Sequence, residues 1–164
     1  NEELNSLIQR ARVEFRDENY SEALRLLADA RVLSADDPRV MSEVDALVKR
    51  IKIQENIQKA LMLYDIEEYE EALNIFREIL EDDPSNQFIR EYYDKSRIEA
   101  YATKEPMEPE TERKYLEGVD KFLLGKYEEA IKIWDEILKD HPNNKRVLEA
   151  IKGANERLKR ARNK

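Results

Sequence analysis

The sequence predicts an all-α fold of about eight helices, and three observations lead to that prediction. Charged residues make up 40% of the 164-residue chain and hydrophobic residues 41%, with only 3 Gly, a composition typical of long-helix proteins. Apolar side chains recur at helical spacing over most of the length. A helix–turn–helix segment at residues 115–144 occurs twice more, at 57–86 and 8–38. Three internal copies of one hairpin indicate a repeat architecture.

The copies share small residues where two helices would approach closely, an aromatic residue before the turn and a Tyr after it. The matched columns are Ile8/Ile57/Tyr115, Ala11/Ala60/Gly118, Phe15/Tyr64/Phe122, Tyr20/Tyr69/Tyr127, Ala23/Ala72/Ala130, Leu24/Leu73/Ile131 and Pro38/Pro84/Pro142. Each Tyr adds apolar area to the hairpin and keeps a hydroxyl at its wet end. The Ala-to-Pro spacing is 15 residues in the first copy and 12 in the others. We therefore expect the second helix of the first hairpin to be three residues longer than its counterparts.

The small residue, the aromatic residue, the turn, the pattern Y-x-x-A-[LI] and the closing Pro resemble the tetratricopeptide repeat. The residues that carry the resemblance best are Gly118, Gly125, Tyr127, Ala130, Trp134, Pro142 and Asn143. The resemblance covers three blocks of about 30 residues, more than half of the chain. It implies a tetratricopeptide-like α-solenoid that works as a scaffold, an adaptor or an assembly chaperone.

In chain order we expect a single repeat domain over residues 1–164, in which every hairpin is followed by an extra helix. The hairpins should lie at about 5–38, 54–86 and 112–144, and the extra helices at about 39–53, 85–103 and 143–161. The extra helices are needed because the matched alanines are 49 and 58 residues apart, whereas the family's repeat is 34. The last helix, with a polar outer face, should cap the array.

One long helix should span about 39–66, because Pro, Gly and turn clusters are missing between Pro38 and Tyr64. Its apolar face shifts by roughly 150° near Gln54, so the helix should bridge two layers. The first half should pack on hairpin one and the second half on helix 69–82. Two prolines make residues 103–110 a linker.

The first helix of each hairpin carries its apolar stripe on the side that lines the peptide groove in the family. The residues concerned are Ile57, Leu61 and Tyr64 in the second hairpin, and Tyr115, Val119 and Phe122 in the third. Segments 39–52 and 85–103 hold the spare apolar surface of the chain. We expect at least one of them to lie along the groove and fill part of it.

Charge and composition limit the function classes. The net charge of −8 argues against nucleic acid as the main ligand, although residues 143–164 carry eight Lys or Arg. No apolar run is long enough to span a membrane, so we expect a soluble protein with membrane contact at most through the basic tail. The start at Asn1 indicates a fragment of a longer chain, whose targeting signals could be missing. The compartment stays open between cytoplasm and bacterial periplasm.

We predict no enzymatic activity, no cofactor and no metal site. Cys is absent, and the single His141 precedes Pro142 in a predicted turn, so the chain offers neither a zinc site nor a nucleophile–base pair. The paired carboxylates lie beside turns and on wet faces, where general acid–base groups are not expected. Trp134 belongs to the hairpin core by its column. A small-molecule carrier stays open if the rotated stripes enclose a pocket.

The favoured function is binding of another protein, through an apolar or helical segment of that partner. The candidate partner-binding residues are Arg12, Arg16, Gln54, Tyr92, Tyr93, Tyr101 and Leu123, with a basic-tail patch of Arg157, Lys159, Arg160 and Arg162. The tyrosines of residues 92–101 could instead be core, and cations also favour a helix C-terminus without any partner. The alternative function is a structural building block of a larger envelope- or motor-type assembly. It would self-associate or dock into neighbours, its acidic middle pairing with its basic end.

Overall fold

In the computed structural model, residues 1–100 and 106–163 are described, and they form an all-α chain of the tetratricopeptide-like solenoid type. Eight helices lie in these two stretches: α1 (Glu2–Arg16), α2 (Tyr20–Leu33), α3 (Pro38–Asp65), α4 (Tyr69–Asp82), α5 (Gln87–Ala100), α6 (Pro109–Leu123), α7 (Tyr127–Asp140) and α8 (Lys145–Arg162). The predicted fold class and the long helix are confirmed. The end of the predicted helix 85–103 and most of the linker lie outside the described residues.

The chain divides into two compact units, Asn1–Ile57 and Gln58–Lys164, and each is described here by itself. The expectation of a single domain over 1–164 stays a prediction. In the first unit α1 and α2 form the first hairpin, and the first part of α3 packs on it. The core is built from one face of each helix: Leu4, Ile8, Ala11, Ala23, Leu26, Leu27, Ala30, Val44, Leu47 and Ile51. The predicted packing of the first half of α3 on hairpin one is thereby confirmed.

The second unit holds two hairpins, one made by the end of α3 with α4 and one made by α6 with α7. Helix α5 packs on α4, and α8 packs on α7. Trp134 is fully buried, as predicted, between Tyr115 and Phe122, with ring centroids 6.0 and 6.1 Å away. Its indole Nε1 donates a hydrogen bond to the Tyr115 carbonyl oxygen at 3.0 Å. The core alanines of both hairpins, Ala72 and Ala130, are completely buried.

Each hairpin turn is closed in the same way, by a residue with left-handed backbone just after the first helix. In the third hairpin the Gly125 N–H donates to the Phe122 carbonyl (2.9 Å) and the Lys126 N–H to the Lys121 carbonyl (2.9 Å). This pair of bonds defines a Schellman motif, which satisfies carbonyls left free at a helix end. The left-handed residues are Glu18 (φ 63°), Glu67 (φ 63°) and Gly125 (φ 78°).

The helix that follows each hairpin, called the third helix of its repeat below, begins at an equivalent side-chain cap. Asp37, Asn86 and Asn144 stand fourteen positions after the matched alanines of their hairpins. Their side-chain oxygens accept from the backbone N–H three residues later, at 3.2, 3.1 and 3.2 Å. Such caps satisfy N–H groups that a helix start leaves free. The repeat is therefore a three-helix unit, with α3, α5 and α8 as the third helices.

One sequence expectation is wrong. The second helix of the first hairpin, α2, has 14 residues, the same length as α4 and α7. The longer Ala-to-Pro spacing has another cause, which is the position of Pro38. Pro38 is the first residue of α3, whereas Pro84 and Pro142 lie in the turns before the caps. Pro is tolerated at both places because neither needs a backbone N–H donor.

Candidate partner-binding faces

Each third helix presents one stripe of side chains beside the first helix of its own hairpin. The stripe occupies the second, sixth, ninth and thirteenth positions after the cap, a spacing that keeps residues on one side of a helix. The stripes are Arg39, Glu43, Ala46 and Arg50 on α3; Phe88, Tyr92, Lys95 and Glu99 on α5; and Arg146, Ala150, Gly153 and Arg157 on α8. We name these surfaces the first, second and third face.

The third face is occupied by the turn of the second hairpin, residues 65–68, called the tip below. Ile66 is only 1% exposed. It meets α8 so closely that a Cβ added to Gly153 would lie 2.8 Å from its Cγ2 and 3.2 Å from the Asp65 carbonyl oxygen. A side chain at position 153 would therefore hold the tip away from α8, and Gly153 lets the two backbones approach.

Two ion pairs fix the ends of the tip. The Arg157 guanidinium donates to the Asp65 carboxylate at 2.6 Å and lies 6.0 Å from the centre of the Phe122 ring. Arg146 donates to the Glu68 carboxylate at 3.0 Å. Ion pairs of this kind contribute more when they are shielded from water. Here the Glu68 side chain is 1% exposed and Arg146 15%.

Tyr115 and Glu112 of α6 complete the contacts at Glu68 and Arg146. The Tyr115 hydroxyl donates to Glu68 Oε1 at 2.6 Å, and Arg146 also donates to Glu112 at 2.6 Å. The guanidinium of Arg146 lies 4.6 Å from the centre of the Tyr115 ring. Burial, followed by the nearby Glu68 carboxylate, raises the pKa of Tyr115 far above its ordinary value. The phenol therefore stays protonated and donates to Glu68 throughout the physiological pH range.

The residues that pack over the apolar stripe of α6 differ in part from those expected from the sequence. Tyr115, Val119 and Phe122 are buried, so they do not line an open wall. Besides the α7 side chains, Glu68 of the tip and Arg146 of α8 contact Tyr115, and Arg157 of α8 lies over Phe122. In the second hairpin Tyr92 of α5 lies edge-on to Tyr64 with ring centroids 5.1 Å apart, while filling of the groove along Ile57 and Leu61 stays a prediction.

The first face has the same framework, but its charged side chains are exposed. The Arg50 guanidinium lies 5.8 Å from the centre of the Phe15 ring, as Arg157 lies over Phe122 in the third face. Arg12 of α1 and Glu43 of α3 form a 3.7 Å ion pair at the surface. These contacts fix α1 against α3 at the face. Arg39, Ala46 and Arg50 are exposed, whereas Arg146, Gly153 and Arg157 are covered or partly covered.

The second face is aromatic. Tyr92 packs against Phe76 and Phe88, with ring centroids 5.8 and 5.1 Å away, and its ring is also approached by Lys95 Nζ at 5.3 Å. Tyr92 is therefore largely part of the packing between α5 and the second hairpin. Phe88 at the edge of this cluster is 52% exposed. From its sequence this segment could be core or an anchor patch. Tyr92 lies in the packing, and an anchor role for the exposed Phe88 stays a prediction.

The predicted site residues fall into three groups. Arg12, Arg16 and Gln54 are exposed in the first unit, and Gln54 continues the stripe of α3, four residues beyond Arg50. Tyr92, Tyr93 and Leu123 are half-buried in the second unit, where Tyr93 lies against Arg90, and Tyr101 is outside the described residues. In the basic tail, Arg157 and Arg162 form ion pairs with Asp65 and Glu128, while Lys159 and Arg160 are exposed. As binding residues all of them remain predictions.

Sequence reasoning missed Arg39, Ala46 and Arg50, which carry the first face together with Phe15. Their signal was present as the spacing i, i+7 and i+11, but the notable feature of that segment was its apolar stripe. Glu68 was missed for a different reason. A carboxylate in a turn of an acidic hairpin is typical of solvated surface, and only the tertiary contact with Arg146 buries it.

The described part of the chain offers little for small ligands. No group of three or more His, Asp or Glu residues there could hold a metal ion. A surface depression of about 270 Å³ lies at the α7–α8 turn, lined by Pro106, Met107, Thr111 and residues 141–144. Ligand pockets usually have about 300–1,000 Å³. None of the helices described in the structure is long and apolar enough to cross a membrane.

Comparison with known proteins agrees with the fold. Residues 115–144, the third hairpin, match the family described as tetratricopeptide repeat. No curated protein and no solved structure matches the chain. Domains of this family typically bind other proteins, and the family is generally non-enzymatic. The match of the third hairpin and the all-helical architecture together support a repeat protein similar to the tetratricopeptide type.

Proposed function

We propose that this chain is a scaffold, adaptor or assembly chaperone that binds a helical segment of a partner protein through its first face. The observation that carries the proposal is the occupied third face. There a surface between the first and third helices of a repeat binds a helix-hairpin tip, with Ile66 against Gly153 and two ion pairs around it. The first face is likewise formed by the first and third helices of its repeat, and its arginines are exposed.

The first face is suited to binding because its framework is rigid. The α1–α2–α3 core fixes both helices that carry the face, and the Arg50–Phe15 contact holds the third helix on the first. A surface that is ordered before binding loses less conformational entropy when a partner docks. Arginine beside an aromatic ring is also a common composition of the residues that dominate binding energy at interfaces.

Phe88 of the second unit is a separate candidate for an apolar contact with a partner. Phe88 is 52% exposed on the aromatic second face, and large aromatic side chains are typical interface anchors. A partner with an apolar helical segment would bury the Phe88 ring. The second face thus favours an apolar partner segment, whereas the first face favours a charged partner segment.

A second candidate function, self-assembly, is favoured by the tip of the third hairpin. Leu124 stands at the position equivalent to Ile66, yet it is 69% exposed. In the second hairpin that position is buried against another repeat. A copy of the chain, or another repeat of the same kind, would bury Leu124 in the same way, and this is the structural building block of the alternative hypothesis.

Site-specific photo-cross-linking tests the proposal. A photoreactive amino acid at Gln54, on the first face, should form adducts with one partner protein in cells, and mass spectrometry should place them in a helical segment of it. The matched control puts the same amino acid at Val32, which is 76% exposed on the outer side of α2. Equal adducts from both positions would contradict the assignment of the face. Adducts of Gln54 with the chain itself, with mass rising in light scattering, would instead support self-assembly.

A further inference from the structure

We infer that the first face binds an acidic helix-hairpin tip of a partner protein, one with two carboxylates three residues apart and a small apolar residue beside them. The inference rests on the proposed function, since it names the chemistry of the partner for the same face. Its basis is the correspondence between the exposed first face and the occupied third face.

The third face shows which chemistry such a surface selects. Arg146 and Arg157 stand eleven residues apart on α8, and they bind Glu68 and Asp65, three residues apart in the tip. The apolar Ile66 lies between them against Gly153. Each guanidinium therefore meets one carboxylate of the tip, and the contact of Ile66 with Gly153 lies between the two ion pairs.

The first face repeats this charge arrangement in register. Arg39 and Arg50 are the second and thirteenth residues after the Asp37 cap, as Arg146 and Arg157 are after Asn144. Arg12 adds a third guanidinium, which its 3.7 Å ion pair with Glu43 offsets. In the third face Glu112 also binds Arg146, but the matching residue of the first hairpin is Asn5. The exposed guanidinium groups of Arg39 and Arg50 therefore lack a counterpart of Glu112, and they favour an anionic occupant.

The other two tips of this chain do not fit. The first tip has Arg16 and Asn19 at the positions of the two carboxylates, and the third has Leu123 and Lys126. Lys126 would lie against Arg39, and like charges placed together at an interface cost free energy. The acidic second tip is already bound inside its own unit. Charge therefore disfavours a second copy of this chain as the occupant of the first face, and we assign the occupant to a different protein.

The residue at the centre of the face refines the partner. The first face has Ala46 where the third has Gly153. A methyl group at that position of the third face would lie 2.8 Å from Ile66, closer than van der Waals contact allows. The apolar residue of the partner's tip therefore lacks the Cγ2 methyl group of isoleucine, as alanine does.

The test uses the full 164-residue chain and two synthetic hairpin probes, read by fluorescence anisotropy. The acidic probe has the sequence of residues 57–86 with Ile66→Ala, and its two helices are cross-linked so that it folds alone. The inverted probe carries Asp65→Lys and Glu68→Lys in addition. We expect the acidic probe to bind at least about tenfold more tightly, and to weaken as salt is raised, because exposed charges are screened.

Protein variants locate the binding. Arg39→Glu and Arg50→Glu should each weaken the acidic probe about tenfold and strengthen the inverted one. Arg10→Glu is the matched control, because it makes the same charge change on α1 roughly 160° around the helix from Arg12, and it should change affinity less than about twofold. Circular dichroism of each variant establishes that the chain stays folded.

The outcomes separate the two hypotheses. The inference of an acidic partner would be overturned if both probes bound with equal affinity and neither arginine variant weakened that binding. Binding of neither probe would overturn it as well. In both cases Gln54 cross-linking still decides the proposed function, because a helical partner of other chemistry would give adducts there. Adducts that fall in a carboxylate-bearing turn of the partner would support both.

Discussion

Gly153→Ala tests the packing of the tip on α8 in the second unit. The substitution has two opposing effects, a steric clash with Ile66 and a gain in helix propensity, and these can be measured separately. The added Cβ would lie 2.8 Å from Ile66 Cγ2, where carbon atoms prefer about 3.5–4.0 Å. Overpacking of this kind typically costs about 1–3 kcal/mol. Alanine in place of glycine inside a helix returns about 1 kcal/mol. The expected net change is a loss of about 0–2 kcal/mol in the free energy of unfolding.

The helix term can be measured at the equivalent site of the first repeat. Ala46 is exposed and has the same register on α3 as Gly153 has on α8. Ala46→Gly should therefore cost about 1 kcal/mol, from helix propensity alone. Adding this value to the measured effect of Gly153→Ala gives the steric cost of the methyl group at the tip.

A double-mutant cycle then assigns the cost to Ile66. Ile66→Leu removes the branched Cγ2 but keeps the side-chain volume, so alone it should cost less than about 1.5 kcal/mol. In that background Gly153→Ala should be nearly neutral or stabilising, with a coupling of about 1–3 kcal/mol. Urea unfolding followed by circular dichroism measures all four proteins. If Gly153→Ala has the same effect with isoleucine and leucine, Ile66 does not contact α8 as described.

Three further predictions concern the repeat framework. Ala72→Leu and Ala130→Leu should each lower the melting temperature through about 1–3 kcal/mol of overpacking, and an unchanged melting temperature would contradict the hairpin register. Glu67→Gly should raise the free energy of unfolding measured in urea by about 0.5–1 kcal/mol, since it relieves a left-handed glutamate, while Gly125→Ala should lower it by a similar amount. Burial, then neighbouring carboxylates led by Glu67, raise the pKa of Tyr69 to about 12, so its contribution to stability is complete below pH 10 and is lost as pH rises toward 12. Tyr69→Phe should reduce the loss of unfolding free energy between pH 10 and 12. If a titration followed by tyrosinate absorbance showed all phenols ionising near pH 10, the raised pKa of Tyr69 would be refuted.

The hairpins were predictable because their determinants are local. The matched alanines, the aromatic before each turn and the Tyr after it set the packing within about 30 residues, and the structure keeps them at equivalent places. Helix ends were less predictable where one residue type can serve two positions. Pro38 starts a helix, whereas Pro142 precedes the cap of one, and both satisfy the same requirement that no N–H is needed there.

The faces were not predictable for the opposite reason, since they depend on contacts distant in sequence. Glu68 and Arg146 are 78 residues apart, and neither has a local signal that marks it as buried. The charge of Glu68 would normally place it in water, and its burial requires the guanidinium and the Tyr115 hydroxyl together. Candidate residues chosen for exposure or aromatic character, such as Arg12 and Tyr92, therefore lie on or beside these faces, whereas Arg39 and Arg50 were not among the candidates.

The three repeats are alike at some positions and different at others, and this follows from the difference between local contacts and contacts distant in sequence. The caps at Asp37, Asn86 and Asn144 keep one geometry, because every third helix must start at the same place relative to its hairpin. The stripe positions after the caps are free of that requirement, and their composition varies. Two arginines flank Glu43 and Ala46 on α3, aromatic residues begin the stripe on α5, and two arginines flank Ala150 and Gly153 on α8. Since the α8 stripe is the one already covered, its small central residues serve packing within the unit. Change at the exposed α3 stripe leaves the buried packing of the hairpins intact, so the proposed function expects partner choice to diverge there.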